Sequence, residues 1–348
     1  MEDRMNEMVQ GFGIRQATIK PGRIALYSWL LTIGYGLSAF GFAQPVAQFL
    51  GDAYKKDIAY LEAERSLSAA QDELKKVQTD PEAAQLTLAR AQESAAVAQA
   101  KLAQSRDEAN AKALDAYGGV LLAGLDVNLA QRRKELSALQ LQAADLRFKA
   151  GAISASDLAK VKEQDAQATS AVRTAVRALA QAQARLKPYG EIKVQALPEP
   201  GAVDPEKFSI KSNARLQEVA QQTREAERAL ALSSGPDTAP LDKAARERDL
   251  ARARATLGDV ERNLNDALDG AQRRYQTALD NYKIAQGSQA RTASELEAAK
   301  KRFATGAIAQ VVLKQSELAK EEADRNALAA QLEVWNAIYG LQVAGGTN

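Results

Sequence analysis

The 348-residue chain has no cysteine and no histidine. The first absence removes disulfides and thiolate nucleophiles, the second removes imidazole acid–base chemistry, and together they remove the usual zinc ligands. A chain without cysteine also suits an oxidising compartment. An excess of one charge sign is missing too: 46 Lys and Arg stand against 44 Asp and Glu, a formal net charge of +2. No bulk field therefore argues for a nucleic-acid partner. The carboxylates fall at helix-surface spacing among Lys and Arg, which is the pattern of a solvated, ion-paired face. These absences point away from an enzyme and imply neither a cofactor nor a metal. Proline is confined as well, with none between Pro81 and Pro188 and none after Pro240.

What fills the proline-free stretches is a motif that occurs twice. Residues 147–158 read RFKAGAISASDL and residues 302–313 read RFATGAIAQVVL. Arg147 matches Arg302, Phe148 matches Phe303, and Gly151 matches Gly306. Ala152, Ile153 and Leu158 match Ala307, Ile308 and Leu313 at the same offset of 155 residues. A glycine followed by small and β-branched residues between two helix-forming runs marks one helix ending and another beginning. Each copy therefore reads as the tip of a long αα-hairpin.

At the N-terminus, residues 24–43 (IALYSWLLTIGYGLSAFGFA) form an uncharged apolar run behind Arg15, Lys20 and Arg23, and end in Gly41-Phe42-Ala43. Basic flank, apolar middle and small residues at the end are the pattern of a secretory signal cleaved after Ala43. An uncleaved anchor is the rival, because a run of about 20 apolar residues also spans a bilayer. The preceding stretch carries Glu2, Asp3 and Glu7, so a start at Met8 would give a purely basic flank. Either reading exports the remainder.

In the first half, residues 44–190, a short lead-in precedes a helix expected over 53–77. Thr79-Asp80-Pro81-Glu82 then breaks and restarts the chain, with Thr79 or Asp80 as cap, Pro81 in the first turn and Glu82 on the helix dipole. From there to about Ala150 a single helix is expected, on the order of 100 Å long at 1.5 Å per residue. Its seam, Ala109, Ala113, Ala116, Val120, Ala123, Val127 and Ala130, alternates spacings of four and three. Gly118, Gly119 and Gly124 interrupt good helix formers, for which close helix approach is the expected reason. After the tip, Leu158, Val161, Ala168, Val172, Ala175, Leu179, Ala182 and Leu186 continue the alternation, broken once by Asp165. Pro188 and Gly190 end the helix.

Residues 191–213 hold three prolines. They read as a crossing packed around the waist of the helical body, with a short strand over Ile192–Leu197, or else as a loose linker. In the second half, residues 214–348, the same plan returns. A helix over 214–232 precedes a turn cluster at Ser233-Ser234-Gly235-Pro236-Asp237, and a long helix begins near Ala239-Pro240-Leu241. Adding 155 to the first seam gives Leu264, Leu268, Ala271, Tyr275, Ala278, Tyr282 and Ala285. The last helix likewise gains Leu313, Ser316, Ala323, Ala327, Ala330, Val334, Ala337 and Leu341, with Lys320 in the place of Asp165. A match this long at constant offset signals duplication. The expected fold is all-α: two tandem, long, coiled-coil α-hairpins. Alanine seams bury little apolar area per contact, so several hairpins are expected to stack into an oligomer.

With these residues in hand, the chain resembles the TolC-like outer-membrane efflux protein family. The resemblance rests on R-F-x-x-G-x-I at both tips, on Asp157-Leu158 after the first, on Ser212-Asn213-Ala214-Arg215-Leu216 opening the second half, and on the export signal. It implies a homotrimer whose helices form a hollow periplasmic tunnel in the cell envelope, outer-membrane associated. The tips would meet a periplasmic adaptor and an inner-membrane transporter, and the tunnel would guide substrate passively. Two departures stand out. In the family each repeat carries a pair of barrel strands between its first two helices, each needing about 9–11 residues. Thr79–Glu82 and Ser233–Leu241 are too short for that, so this resembles a TolC-like tunnel without the barrel. Family members also place acidic residues after the second tip, where this chain has Val311, Val312, Leu313, Lys314 and Gln315. The alternative function is a structural spacer or tether with the same helical body.

The tips themselves, Arg147, Phe148, Gly151, Ala152, Ile153, Asp157 and Leu158 with Arg302, Phe303, Gly306, Ala307, Ile308 and Leu313, are the candidate adaptor-docking residues. Arg147 and Arg302 either pair with carboxylates of a neighbouring hairpin or cap carbonyls at the helix end. Gly151 and Gly306 are expected at positive φ. Ala152, Ile153, Ala307 and Ile308 form either a docking surface or a tip-to-tip contact within the oligomer.

Overall fold

A computed structural model describes residues 44–80, 84–190, 196–233 and 240–346. The apolar segment at 24–43, the Pro81-Glu82 restart and most of the strand expected at 192–197 fall outside those residues. What is described is helical, and no strand occurs among the described residues.

Seven α-helices are present among them: α1 (Gln44–Ala53), α2 (Ile58–Thr79), α3 (Gln85–Lys149), α4 (Ala155–Leu186), α5 (Ala214–Leu232), α6 (Pro240–Ala304) and α7 (Gln310–Gly345). Helices α3 and α6 each contain 65 residues, and their first and last residues (Gln85 and Pro240, Lys149 and Ala304) stand 155 apart. Helices α4 and α7 also begin 155 apart, at Ala155 and Gln310. The N-caps of α2 and α5, Asp57 and Asn213, stand 156 apart instead. One residue has slipped between the repeats.

Three local expectations need correction. The helix expected over 53–77 is interrupted. The chain passes through a 3-10 turn at Tyr54–Lys56, and Asp57 turns extended (φ −78°, ψ 129°). There the Asp57 carboxylate accepts from the backbone N–H groups of Ala59 (2.9 Å) and Tyr60 (3.3 Å), so a short acid acts as N-cap where uniform propensity suggested continuity. The expected lead-in before it is the helix α1. The Thr79 hydroxyl does not cap α3. The Thr79 hydroxyl donates back to the carbonyls of Lys75 and Lys76 (3.0 Å each), and the Asp80 N–H donates to Lys76, so both close α2. The cap position of α3 is Ala84, without a side-chain bond.

Two rows of helices share α3 and α6. On the side of the glycine tips, α4 packs on α3, α3 on α7, and α7 on α6. On the other side of the waist, α2 packs on α3, α3 on α5, and α5 on α6. The seams fall where the period placed them: Ala109, Ala113, Val120 and Ala130 are buried on α3, and Leu268, Ala271, Tyr275, Ala278 and Tyr282 on α6. Of the three interrupting glycines, only Gly118 answers to close approach. A Cβ there would lie 2.3 Å from the Leu332 side chain of α7, whereas nothing lies within 4 Å of one at Gly119 or Gly124.

The bulky residues gather at the waist. Leu114 and Tyr117 of α3, Tyr275 of α6 and Trp335 of α7 are buried in one core with Phe49 of α1, whose ring centroid lies 5.3 Å from that of Tyr117. Each large side chain removed from water there contributes about 1.5–3 kcal/mol, far more than a seam alanine. Residues 196–213 cross this core. Leu197 is buried, the Pro198 carbonyl accepts from Gln331 (2.8 Å) and Trp335 (3.2 Å), and the Val203 N–H donates to the Tyr275 hydroxyl (2.9 Å). Asn213 ends the crossing. It caps α5 through the Arg215 N–H (3.0 Å) while its amide donates to the carbonyls of Val343 and Ala344 (3.3 Å each), tying the start of α5 to the end of α7.

Candidate docking tips

Both tips are built by the same backbone device. The Gly151 N–H donates to the Phe148 carbonyl (2.9 Å) and the Ala152 N–H to the Arg147 carbonyl (2.8 Å), with Gly151 at φ 72°. The Gly306 N–H donates to Phe303 (2.9 Å) and Ala307 to Arg302 (2.8 Å), with Gly306 at φ 70°. This is the Schellman closure, in which a left-handed residue after the last helical turn lets two orphan carbonyls find donors. The repeated Arg-Phe-x-x-Gly-Ala is therefore first a turn signature. Its arginines contribute backbone carbonyls and stand in the last turns of α3 and α6, where positive charge suits the helix C-terminus, while their guanidinium groups find no ion-pair partner among the described residues.

The tips differ one turn later. Ser154 and Asp157 form a reciprocal capping box. The Asp157 N–H donates to the Ser154 hydroxyl oxygen (3.1 Å), the Ser154 N–H donates to the Asp157 carboxylate (3.4 Å), and the Ser154 hydroxyl also reaches that carboxylate (2.7 Å). The hydroxyl bond from Ser154, then its backbone N–H, hold the Asp157 carboxyl below the usual aspartate range. At the second tip the matching residues are Ala309 and Val312, and α7 starts with no side-chain cap. Phe148 is 42% exposed and Phe303 40%, Ala152 and Ala307 are exposed, and Ile153 and Ile308 are half-buried. Leu158 is buried against its own hairpin and Leu313 is half-buried. Each tip thus shows one aromatic edge among exposed alanines, Ala150, Ala152 and Ala155 at the first and Ala304, Ala307 and Ala309 at the second.

Above the tips lies a feature that sequence reading missed. Arg132 meets Glu321 (3.0 Å), Arg133 meets Glu322 (2.7 Å), Asp126 meets Arg325 (3.0 Å) and Glu135 meets Lys314 (3.7 Å), all between α3 and α7. These ladders join the two hairpins side by side. In sequence the same residues look like ordinary i,i+3 and i,i+4 surface charges, and only the tertiary pairing of α3 with α7 separates the two cases. Asp165 and Lys320, the two polar interruptions, also part company. Lys320 pairs with Asp324 on its own helix, while one Asp165 carboxylate oxygen is buried without a hydrogen-bond partner.

No protein-family profile matches the sequence, and no curated protein matches it. Solved structures do match. The Campylobacter jejuni CmeC outer membrane channel superposes with a TM-score of 0.65, covering 97% of this chain and 94% of that one at 11% identity. The Vibrio cholerae outer membrane protein VceC gives 0.60, covering 89% and 98% at 11% identity. The outer-membrane channel OprN gives 0.61, covering 88% and 90% at 16% identity. At such identities the likeness establishes the fold, that of the helical part of the TolC-like channels. At the far end from the tips, α2 and α3 are joined by residues 80–84 and α5 and α6 by residues 233–239, five and seven residues. Neither connection has room for two membrane strands of about 9–11 residues.

Proposed function

We propose that this chain, with its TolC-like helical fold, is the tunnel component of an envelope-spanning efflux or export system. Three copies stand side by side in the periplasm as a hollow helical wall. The hairpin tips dock a periplasmic adaptor and an inner-membrane transporter, and the wall guides substrate without chemistry of its own. The observation that carries this reading is the pair of matched tips, each closed by a Schellman turn that leaves Phe148, Ala152, Phe303 and Ala307 open to a partner. Unpaired guanidinium groups at Arg147 and Arg302 add positive charge for acidic side chains of that partner.

Cysteines placed at Ala152 and Ala307 test the docking, since the chain has none of its own. Crosslinking from both sites in intact cells to one inner-membrane transporter or its adaptor, with export of that transporter's substrates lost when the gene is deleted, is the expected result. Absence of any such crosslink, with export unchanged, would overturn it.

The five- and seven-residue connections favour a second reading, a spacer or tether that keeps the helical wall and has given up the duct. Deletion then alters the distance between the two membranes while export stays normal.

A further inference from the structure

The α3–α5 seam on the far side of the waist is held by charge. The Glu93 carboxylate accepts from Arg228 through two nitrogens (2.9 and 2.8 Å) and from Arg224 (2.7 Å), and its side chain is only 17% exposed. Arg90 pairs bidentately with Glu225 beside it (2.7–3.0 Å). Here α3 has helices on both flanks, α2 and α5. Its repeat counterpart α6 has only α5 as a principal neighbour at this level, and α2 has only α3. The helices α6 and α2 are thus the two free edges of one row.

The repeat offsets say what would pair with them. Adding 155 to α3 positions and subtracting 156 from α5 positions converts the α3–α5 seam into one between α6 and α2. Glu93 becomes Arg248 and Arg228 becomes Asp72, so the strongest pair of the seam returns with both signs exchanged. Arg224 becomes Ser68, and Arg90 with Glu225 becomes Ala245 with Ala69, which removes the charges that would compete. Both new partners are free to take the role. Asp72 is 64% exposed with only a 3.9 Å contact to Lys75, and Arg248 is exposed with its Nε on the Ala244 carbonyl of its own helix (3.2 Å).

We infer that α6 of one molecule receives α2 of a second copy of this chain, with Arg248 ion-paired to the partner's Asp72. The inference rests on the side-by-side assembly proposed above and supplies its contact and register. The pair is complementary between unlike edges, which makes association head-to-tail, the arrangement that closes a ring. Its reversed polarity also separates the two seams: α3 set against a foreign α2 opposes Glu93 to Asp72, and α6 set against a foreign α5 opposes Arg248 to Arg228.

The full chain carrying D72C and R248C together has no other thiols. Oxidation should give covalent multimers on a non-reducing gel, whereas an E93C and R228C pair should crosslink within single chains. In sedimentation, R248D alone should raise the dissociation concentration about tenfold, and adding D72R should restore it. If the chain assembles yet forms no crosslink between positions 72 and 248 and ignores the charge reversals, the inferred contact is wrong and the tunnel reading stands. If the unsubstituted chain is itself a monomer, both fall.

Discussion

Helices α4 and α7 occupy the same place in the two repeats, yet they live in different surroundings. Among its residues α4 buries only Leu158 and Leu186, whereas α7 buries a whole flank that includes Leu332, Trp335, Ile338 and Tyr339. The 155-residue offset pairs those four with Arg177, Ala180, Gln183 and Ala184. The seam facing each helix's own hairpin partner is alike in both. The larger divergence lies on the other flank, where α7 meets α3 and α4 has no principal neighbour among the described residues. A duplicated helix has kept what its hairpin needs and changed what its neighbour dictates. The flank that lies inside every folded chain is large and apolar, and the one left open is small and polar.

The comparison breaks most readily at its largest residue. Trp335→Ala empties the waist core and should cost about 3–5 kcal/mol of unfolding free energy, read by circular dichroism in denaturant. The mirrored change, Ala180→Trp, should stay within about 0.5 kcal/mol for the single chain, because its flank is open. If both substitutions destabilise alike, α4 is not an edge.

A smaller effect separates the glycines of α3. Gly118→Ala drives a methyl into Leu332 of α7 and should destabilise by about 1–3 kcal/mol despite the better helix former. Gly119→Ala, one residue on and facing open space, should stabilise by about 0.5–1 kcal/mol. Opposite signs of the shift in denaturation midpoint are the test.

Much of this was legible from the sequence because the signals were periodic. The tips, the seams and the last helix fall where the 3–4 alternation and the constant offset put them, since both report local backbone geometry and burial against the hairpin partner. What stayed hidden was non-local. Nothing in the spacing of Arg132, Arg133, Glu321 and Glu322 says that they bond across helices, because the same charges at the same spacing also suit an isolated solvated face. The one-residue slip that makes Asp57 answer to Asn213 was invisible for a similar reason. It lies beyond a break, where the seam no longer carries the register. Gly119 and Gly124 show the converse error, a rule about close approach applied to all three glycines when only one faces a neighbour.

The smallest effect lies between the tips. Ser154→Ala removes the cap of α4 and should cost about 1 kcal/mol, seen as faster amide exchange in residues 155–158 with no change at 310–313. Ala309→Ser should recover part of that alone, because its hydroxyl can accept from the Val312 N–H; adding Val312→Asp completes the box and should bring the second tip to parity. Acid offers the same contrast without mutation. Asp157 has its carboxyl pKa lowered in the folded chain, so its contribution is present above the ordinary aspartate pKa of about 3.9 and is lost as pH falls through the lowered value. Measured relative to the intrinsic rate at each pH, exchange at the first tip should therefore quicken below about pH 4, while that at the second tip, whose matching residue is Val312, should not change. Equal acid sensitivity at both tips would mean that the capping box is not what sets them apart.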